Sequence, residues 1–496
     1  MERLTFNVTR GRGASRLVIG RRPSPATAAA TERPSRTAAV RARVAALVRE
    51  RYDWDYLWMV VFTALLFFRP QDHIPALMPL HLAELAALAG LAAMAARRMT
   101  SGQSIAHVNA EVAGVVALGG VIIMTIPFSF WPSGSLTLFS EIYVKIILIF
   151  ALMITTITTT KRLYQVTWLV VAVCGYISVR GIFDYLRGVN LLEGNRLRGA
   201  LGGFMENPND LAMNLVVFMA PALFLMFHDR GLVRRLFAAA IVLAMAMAIV
   251  FTKSRAGFIG VGAMGLVVMY YMLRERPGVI FAVILVGLVA TPVMPSAFWD
   301  RMSSITNPDE DETGSREQRI QLYRQGLQVF AENPLTGIGA GQFENYDGEM
   351  MTTRWRATHS VWLQVAAELG IFGLLAFGFL VWRALTACLA ARRLIRGPTR
   401  KNRPASTLTP DERRIVDLNA KGMLAGLAGW FVCAFFASVA FNWTFYYVLA
   451  LAVAGKEIAR AARRAPNERD VRDDLSSVST ASWRFTAGPS RFGARA

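Results

Sequence analysis

The chain has 496 residues, of which 54% are hydrophobic and only 18% are charged. Soluble chains of this length usually divide into domains in which about 25% of the residues are charged. The composition therefore excludes an ordinary set of soluble domains. The 54 Lys and Arg residues outnumber the 34 Asp and Glu residues, which gives a net charge of +20.

This positive charge is concentrated in three segments. Residues 1–51 contribute +9, residues 392–421 contribute +6 and residues 456–496 contribute +4, so together they hold 19 of the 20 net charges. The rest of the chain is nearly neutral and strongly apolar, a pattern typical of membrane proteins that argues against nucleic acid as a partner. All three cysteines lie in apolar runs, so we predict neither a disulfide framework nor a metal site built from them.

Apolar stretches of about 20 residues, long enough to cross a bilayer as helices, recur along the chain. The predicted fold class is therefore all-α, a polytopic membrane helical bundle of about 12 transmembrane helices. The predicted spans cover residues 54–68, 77–96, 108–127, 138–157, 163–186, 209–227, 232–250, 256–273, 278–295, 360–385, 422–440 and 443–459.

An even number of spans places both termini on one side of the membrane. If that side is the cytoplasm, the loop after every even-numbered span is basic, as the positive-inside rule requires. We therefore predict a disordered basic cytoplasmic arm at 1–51, a transmembrane domain at 52–460 and a cytoplasmic tail at 461–496. A loop of about 60 residues, at about 296–358, lies on the outer side.

Several cations lie on the predicted outer side, where the positive-inside rule does not place them. An Arg side chain forms paired hydrogen bonds with phosphate oxygens and stays protonated when partly buried, so this group suits a multiply charged anion. The structural alternative is pairing with Glu193, Glu206 or the acidic run 309–312. The outer cations are Arg180, Arg187, Arg196, Arg198, Lys253, Arg255, Arg316, Arg319, Arg324, Arg354 and Arg356.

The outer loop contains a predicted amphipathic helix. Ser315 and Gln318 fit a capping box, and Asn333-Pro334 ends the helix. Arg316 and Arg319 then lie near its start, where backbone N–H groups attract anions. Its apolar stripe lies on the membrane surface or on the bundle, and consists of Ile320, Tyr323, Leu327 and Phe330.

A glycine-rich stretch and a histidine follow this helix. Residues 337–341 resemble a nucleotide-binding loop, but no strand–turn–helix unit surrounds them, so we predict a tight, mobile loop. His359 lies at the outer mouth of the tenth span. The ordinary pKa of histidine, near about 6.5, suits a general base at neutral pH, whereas an interfacial or capping role is the structural alternative.

Taken in chain order, short motifs in these segments resemble the O-antigen ligase family. The resemblance covers about residues 195–385 together with the twelve-span layout. It implies the all-helical membrane fold of lipid-linked glycosyltransferases, at the bacterial inner membrane. The motifs are RG at 198–199, ENPNDLA at 206–212, TKSRAG at 252–257, GSR at 314–316, NPLTGIG at 333–339, THS at 358–360 and ELGIFG at 368–373.

The resemblance also implies an activity and its partners. Members take a glycan from a polyprenyl pyrophosphate carrier and join it to an acceptor outside the inner membrane. The acceptor is a glycan, lipid A-core or a protein hydroxyl. Our hypothesis for the reaction is an inverting displacement, metal-independent and without a cofactor, in which a base deprotonates the acceptor while fixed cations hold the leaving pyrophosphate.

Residue roles follow from the same resemblance. Arg255 and Arg316 match the family's pyrophosphate-binding arginines, and His359 matches its proposed base. Arg198 and Asn209 match further motif positions, for which packing is a rival explanation.

Three other residues are weaker candidates. Lys253 is a possible contact within the motif of Arg255, and Arg319 is a candidate on proximity alone. Glu368 lies nine residues from His359 and about half a turn out of phase on a helix, so we assign it to helix packing.

Three alternatives stay open at this point. Within the same fold, the chain is a ligase or a polymerase of O-antigen or exopolysaccharide. From a different class, a membrane transporter or flippase of lipid-linked glycans also has about twelve spans, but its ionisable residues are expected near the bilayer midplane. A non-enzymatic assembly scaffold explains the basic ends of the sequence but not the outer cations.

Overall fold

The computed structural model describes residues 53–104, 108–192, 195–199, 205–278, 299, 315–346, 357–397 and 406–464. By its internal contacts the chain separates into two units, Met1–Asp53 and Trp54–Ala496. All the helices and strands given below belong to the second unit. The predicted arm at 1–51 lies outside the described residues, as does the tail from residue 465 onward.

Helices dominate the described part of the chain. The two strands, β1 (Leu191–Leu192) and β2 (Arg196–Leu197), form one antiparallel hairpin. The longer helices are α1 (Trp54–Phe68), α2 (Leu82–Thr100), α3 (Ala110–Thr125), α4 (Pro132–Thr156, with a π turn at Phe139–Tyr143), α5 (Thr160–Leu186), α6 (Pro208–His228), α7 (Leu232–Thr252), α8 (Arg255–Glu275), α9 (Ser315–Glu332), α10 (Val361–Arg396), α11 (Pro410–Cys433) and α12 (Trp443–Arg464).

The predicted all-α membrane bundle is confirmed. Eleven of the predicted spans correspond to α1–α8 and α10–α12, and the remaining one, 278–295, lies outside the described residues. Within the described ranges, nine helices have the length and apolar composition needed to cross a membrane. Of the other two, α1 has only 15 residues, and α12 carries charged residues in its second half.

The boundaries of two predicted spans are wrong. The span predicted at 422–440 begins twelve residues earlier, at Pro410, because Thr409 and Glu412 form a capping box there. The helix predicted at 360–385 continues to Arg396. In both cases charged residues lowered the local hydropathy and hid turns of the helix, the first turns of α11 and the last turns of α10.

Side-chain contacts divide the helix ends into two groups, as an alternating bundle requires. At the end predicted to be cytoplasmic, Arg97 of α2 pairs with Asp55 of α1 at 2.7 Å. At the end predicted to be outer, Thr358, just before α10, contacts Ser438, between α11 and α12, at 2.8 Å. That the basic end faces the cytoplasm remains a prediction.

Two helices form the interior of the bundle. Residues 444–456 of α12 and residues 211–222 of α6 are all buried. Helix α11 approaches α6 closely through Gly426, where a Cβ atom would lie 2.5 Å from the carbonyl oxygen of Val217. Small residues permit such close approach of helices in membranes. The end of α11 also meets the start of α8, where Cys433 donates to the carbonyl oxygen of Ala256.

Buried charges link helices in the predicted cytoplasmic half. The carboxylate of Glu111 on α3 is completely buried and pairs with Lys456 of α12, at 2.7 Å, and with Arg383 of α10. Removing one partner from a buried ion pair leaves an uncompensated charge at a cost of about 3–5 kcal/mol. These pairs therefore fix α3, α10 and α12 relative to one another.

Candidate functional site

The β1–β2 hairpin brings one arginine to the outer ends of α6 and α7. Leu197 is fully buried, and it packs against Gly181 of α5. The neighbouring Arg196 donates from Nε to the carbonyl oxygen of Thr252 at 3.2 Å and from Nη2 to Oδ1 of Asn209 at 3.0 Å. The guanidinium of Arg196 is thus held by two fixed acceptors.

The turn between α7 and α8 joins the same group. Lys253 ends α7 in the left-handed conformation, with φ 49°. The hydroxyl of Ser254 accepts from the backbone N–H of Gly257 at 3.1 Å and donates to Oδ1 of Asn209 at 2.8 Å. Arg255 therefore occupies the first position of α8, at the helix end that attracts anions.

Asn209 is the residue that connects the hairpin to this turn. Its Oδ1 atom accepts hydrogen bonds from both Arg196 and Ser254. The structure thus brings together Asn209, Lys253 and Arg255, three of the predicted site residues. It adds Arg196, which sequence reasoning recorded only as an outer cation.

Arg198, another predicted site residue, lies beside a carboxylate. Its guanidinium lies 3.6 Å from Glu206, and both side chains are exposed. This is the pairing with Glu206 that we gave as the structural alternative. Asn190 and Asn195, on either side of β1, both have positive φ. Asparagine favours such turn positions, so these two residues could have predicted the hairpin and with it the position of Arg196.

The predicted helix in the outer loop is confirmed as α9. Arg316 lies in its first turn, and its side chain is outside the described part of the structure. Arg319 lies over the ring of Phe436 at 5.9 Å, and Tyr323 donates to the carbonyl oxygen of Phe435. Helix α9 therefore rests on the segment between α11 and α12.

The face of α9 that packs on the bundle differs from the predicted stripe. Leu322 and Val329 are buried, whereas Ile320 and Leu327 of the stripe are exposed. A Cβ atom on Gly326, between the two buried residues, would lie 2.5 Å from Leu363 of α10. Because glycine has no side chain, α10 packs closely against α9 at Gly326. The contact face therefore includes a position that a search for apolar side chains does not detect.

The glycine-rich loop is tight, as predicted, but it is anchored at several points. Gly337, Gly339 and Gly341 all have positive φ. The carboxylate of Glu368 accepts from the backbone N–H of Gly341 at 2.8 Å, and the carbonyl oxygen of Glu368 accepts from that of Gly339 at 2.9 Å. A Cβ atom on Gly337 would lie 2.3 Å from the backbone of Glu368. These contacts do not fit the predicted mobility.

A kink in α10 receives this loop. Gly370 has non-helical backbone angles, with φ 63° and ψ −159°. The backbone N–H of Ile371, which the kink frees from the helix, donates to the carbonyl oxygen of Pro334 at 2.8 Å. Glu368, assigned to helix packing, thus has a more specific role, because its carboxylate fixes the loop to the helix that begins beside His359.

His359 itself lies immediately before α10, in the left-handed conformation with φ 49°. Its neighbour Thr358 is fully buried and donates from Oγ1 to the carbonyl oxygen of Ser360 at 3.0 Å. A histidine in this conformation is uncommon outside turns and strained sites. The imidazole is thus presented from a constrained turn rather than from a helix.

The segment between α11 and α12 was missed by sequence reasoning. We call residues 434–442 the connector. They were predicted as the end of one span and a tight turn, because AFFASVA at 434–440 reads as a continuing apolar helix. In the structure α11 ends at Cys433, a 3₁₀ turn covers Ala434–Phe436, and the rest has no helical structure before α12.

The connector, together with Cys433 and Thr444 near its two ends, contacts the elements that carry the predicted site residues. The turn between α7 and α8, the start of α9 and the turn of His359 therefore lie around one short segment at one end of the bundle. Cys433 donates to the carbonyl oxygen of Ala256 at 3.4 Å, Phe436 lies under Arg319, Ser438 contacts Thr358, and Thr444 donates to Asn214 of α6.

Comparison with known proteins gives one informative result. Residues 212–378 match the family model described as O-Antigen ligase, which is about a third of the chain. A search of curated proteins with this sequence found no match. The resemblance predicted from the motifs is thereby confirmed, and the chain is a multi-pass membrane protein similar to O-antigen ligases and polymerases. The matched region contains Arg255, Arg316 and His359, but neither the hairpin nor the connector.

Proposed function

We propose, from the match of residues 212–378 to the O-antigen ligase family, that this protein transfers a glycan from a polyprenyl pyrophosphate carrier to an acceptor hydroxyl. The reaction takes place at the outer face of the bacterial inner membrane. The observation that carries the proposal is the meeting of cationic elements and the turn of His359 around the connector.

In the proposed reaction His359 accepts the proton of the acceptor hydroxyl. The acceptor oxygen then attacks the sugar carbon bonded to pyrophosphate, the bond from that carbon to the pyrophosphate oxygen breaks, and the configuration at the carbon inverts. Arg255, Arg316 and Arg319 bind the leaving pyrophosphate, whose negative charge grows as the bond breaks. Fixed guanidinium groups stabilise such charge without reorganisation, so the proposed route is metal-independent.

The hairpin and the α7–α8 turn have supporting roles in this proposal. Lys253 and Arg255 share a turn whose geometry depends on Asn209. Arg196 donates to the same Asn209. It is a better candidate than Arg198 to line the pyrophosphate site, because the side chain of Arg198 is exposed and paired with Glu206.

The membrane orientation is also part of the proposal. With both termini in the cytoplasm, the three basic segments lie inside and the site lies outside, where lipid-linked glycans are presented. The paired charges at Glu111, Arg383 and Lys456 then lie in the cytoplasmic half. Their mutual pairing fits a structural link between helices better than the substrate path that a transporter or flippase requires.

Two members of the same reaction class fit the donor chemistry. A ligase uses lipid A-core or a protein hydroxyl as its acceptor, whereas a polymerase uses another lipid-linked glycan. A strain that lacks the protein separates them. Loss of all long chains with accumulation of lipid-linked polymer is the result for a ligase, and a single capping repeat is the result for a polymerase.

Purified protein in proteoliposomes tests the activity directly, with lipid-linked glycan and acceptor supplied on the outer side. General base catalysis contributes about 10²–10⁴ in rate, so His359→Ala is expected to reduce transfer by at least a hundredfold. The matched control is His81→Ala, because His81 also has a positive φ, 43°, immediately before a helix at the same end of the bundle.

Two results would contradict the proposal. Wild-type rates of transfer by His359→Ala would remove that residue from the mechanism. Vectorial movement of the lipid-linked glycan in sealed vesicles, with no transfer to any acceptor, would favour the flippase instead.

A further inference from the structure

The backbone of His359 needs support from outside its own helix. Its φ of 49° is a conformation that costs free energy for any residue except glycine. Ser360, the residue at the helix start, provides no side-chain cap for α10. The conformation is therefore held by other contacts.

The connector contacts the residues on either side of His359. The hydroxyl hydrogen of Thr358 is used in the bond to the carbonyl oxygen of Ser360 at 3.0 Å, so Ser438 is the donor in the 2.8 Å contact between the two hydroxyls. One turn into α10, the side-chain oxygen of Gln364 accepts from the backbone N–H of Ala440 at 3.2 Å. The turn of His359 is bound to the connector on both sides.

The connector is itself fixed to the bundle. Tyr446, a buried residue of α12, donates to the carbonyl oxygen of Ala440 at 3.1 Å. Trp362 of α10 packs its ring against Phe435 at 6.0 Å. Through its hydrogen bond, Ser438 therefore holds Thr358 against a segment that is fixed to the bundle.

We propose that Ser438 is a positioning residue for His359, acting through Thr358, and that the connector is a functional part of the site although it lies outside the matched region 212–378. The inference rests on the proposed function for its effect on catalysis. It makes a separate statement about the backbone at 358–360, which holds whether or not the protein is a transferase.

Ser438→Ala tests the proposal by removing the donor to Thr358. Ser438→Thr keeps a hydroxyl and is the rescue variant, and Ser133→Ala, a change at an exposed serine of α4 at the same end of the bundle, is the control. Two quantities are measured on the full-length protein in nanodiscs: the kinetics of glycan transfer, and the rate of amide hydrogen exchange in peptides that cover 357–364.

For Ser438→Ala we expect a fall in kcat of about tenfold with KM for the lipid donor within twofold, since small misplacements of a catalytic group cost up to about 10²-fold. Amide exchange at 357–364 is expected to accelerate at least fivefold while exchange in α6 and α12 stays unchanged. Ser438→Thr is expected to restore both quantities. A purely structural role would lower the melting temperature and accelerate exchange across the bundle instead.

The outcomes distinguish the two proposals. Unchanged local exchange in Ser438→Ala overturns the positioning role, whatever the activity. Faster local exchange with unchanged kcat, in a protein that His359→Ala inactivates, overturns the catalytic part of the inference alone. If the wild-type protein transfers no glycan, the proposed function fails, and the exchange measurement still decides whether Ser438 holds the turn of His359.

Discussion

Replacing Asn209 with Ala is expected to weaken donor binding without removing any cation. Its Oδ1 atom accepts from the Arg196 guanidinium at 3.0 Å and from the Ser254 hydroxyl at 2.8 Å. A hydrogen bond to a charged group contributes about 1.5–3 kcal/mol and a neutral one about 0.5–1.5 kcal/mol. Because Asn209 and Arg196 are only partly buried, water replaces part of both bonds. We expect a loss of about 1.4 kcal/mol in donor binding, which is a tenfold rise in Kd.

The measurement is binding of a labelled polyprenyl pyrophosphate to the protein in nanodiscs, together with thermal unfolding. Asn207→Ala is the matched control. The side chain of Asn207 caps α6 by accepting from the backbone N–H of Asn209 at 2.9 Å. Its loss destabilises the same helix start by about 1 kcal/mol but leaves Arg196 and Ser254 with their acceptor.

The two variants separate local positioning from general destabilisation. Asn209→Ala is expected to raise the donor Kd about tenfold, whereas Asn207→Ala lowers the melting temperature and leaves Kd within twofold of wild type. If both variants raise Kd equally, or if Asn209→Ala leaves it unchanged, the link between this hydrogen-bond group and the pyrophosphate site is refuted.

Two further predictions concern the buried polar contacts. Glu111→Gln removes the carboxylate that Lys456 and Arg383 share and is expected to destabilise the protein by about 3 kcal/mol; adding Lys456→Met should recover part of this in thermal unfolding, and a double variant no more stable than Glu111→Gln would contradict it. Each carboxylate oxygen of Glu368 accepts from one backbone N–H, that of Gly341 or that of Phe343, so Glu368→Gln places an NH₂ group against one of these two donors. We expect a loss of about 1–3 kcal/mol and faster proteolysis near residue 341, and unchanged stability and proteolysis would show that the loop is held by its backbone bonds.

The helices were predictable because membrane-spanning segments leave a strong local signal. An apolar run of sufficient length has few alternatives to a helix in hydrocarbon, and eleven predicted spans have a helix in the structure. The same reasoning failed for the connector. Its residues are as apolar as those of a membrane helix, and α11 ends at Cys433 without a glycine, proline or charged residue there to mark the end.

Candidate site residues could be chosen from the sequence, but their arrangement could not. Outer cations and His359 followed from sidedness and motif order, whereas the group formed by Arg196, Asn209 and Ser254 joins positions 13–58 residues apart along the chain. Glu368 shows the same limit. Helical phase correctly argued against a direct partnership with His359, but nothing local to the helix indicated that its carboxylate binds a loop 27 residues earlier.

The burial of α12 in the middle of the bundle has a consequence for biosynthesis. Among the described helices it is the last to leave the ribosome, and domains begin to fold while later residues are still being made. Until α12 is inserted, the interior of the bundle is unfilled and the connector has no fixed end at Tyr446. A chain whose synthesis stops before this helix therefore contains nearly every motif of the site, but these motifs are not yet packed together. Insertion of α12, rather than insertion of the motif-bearing helices before it, sets the moment at which this end of the bundle is organised.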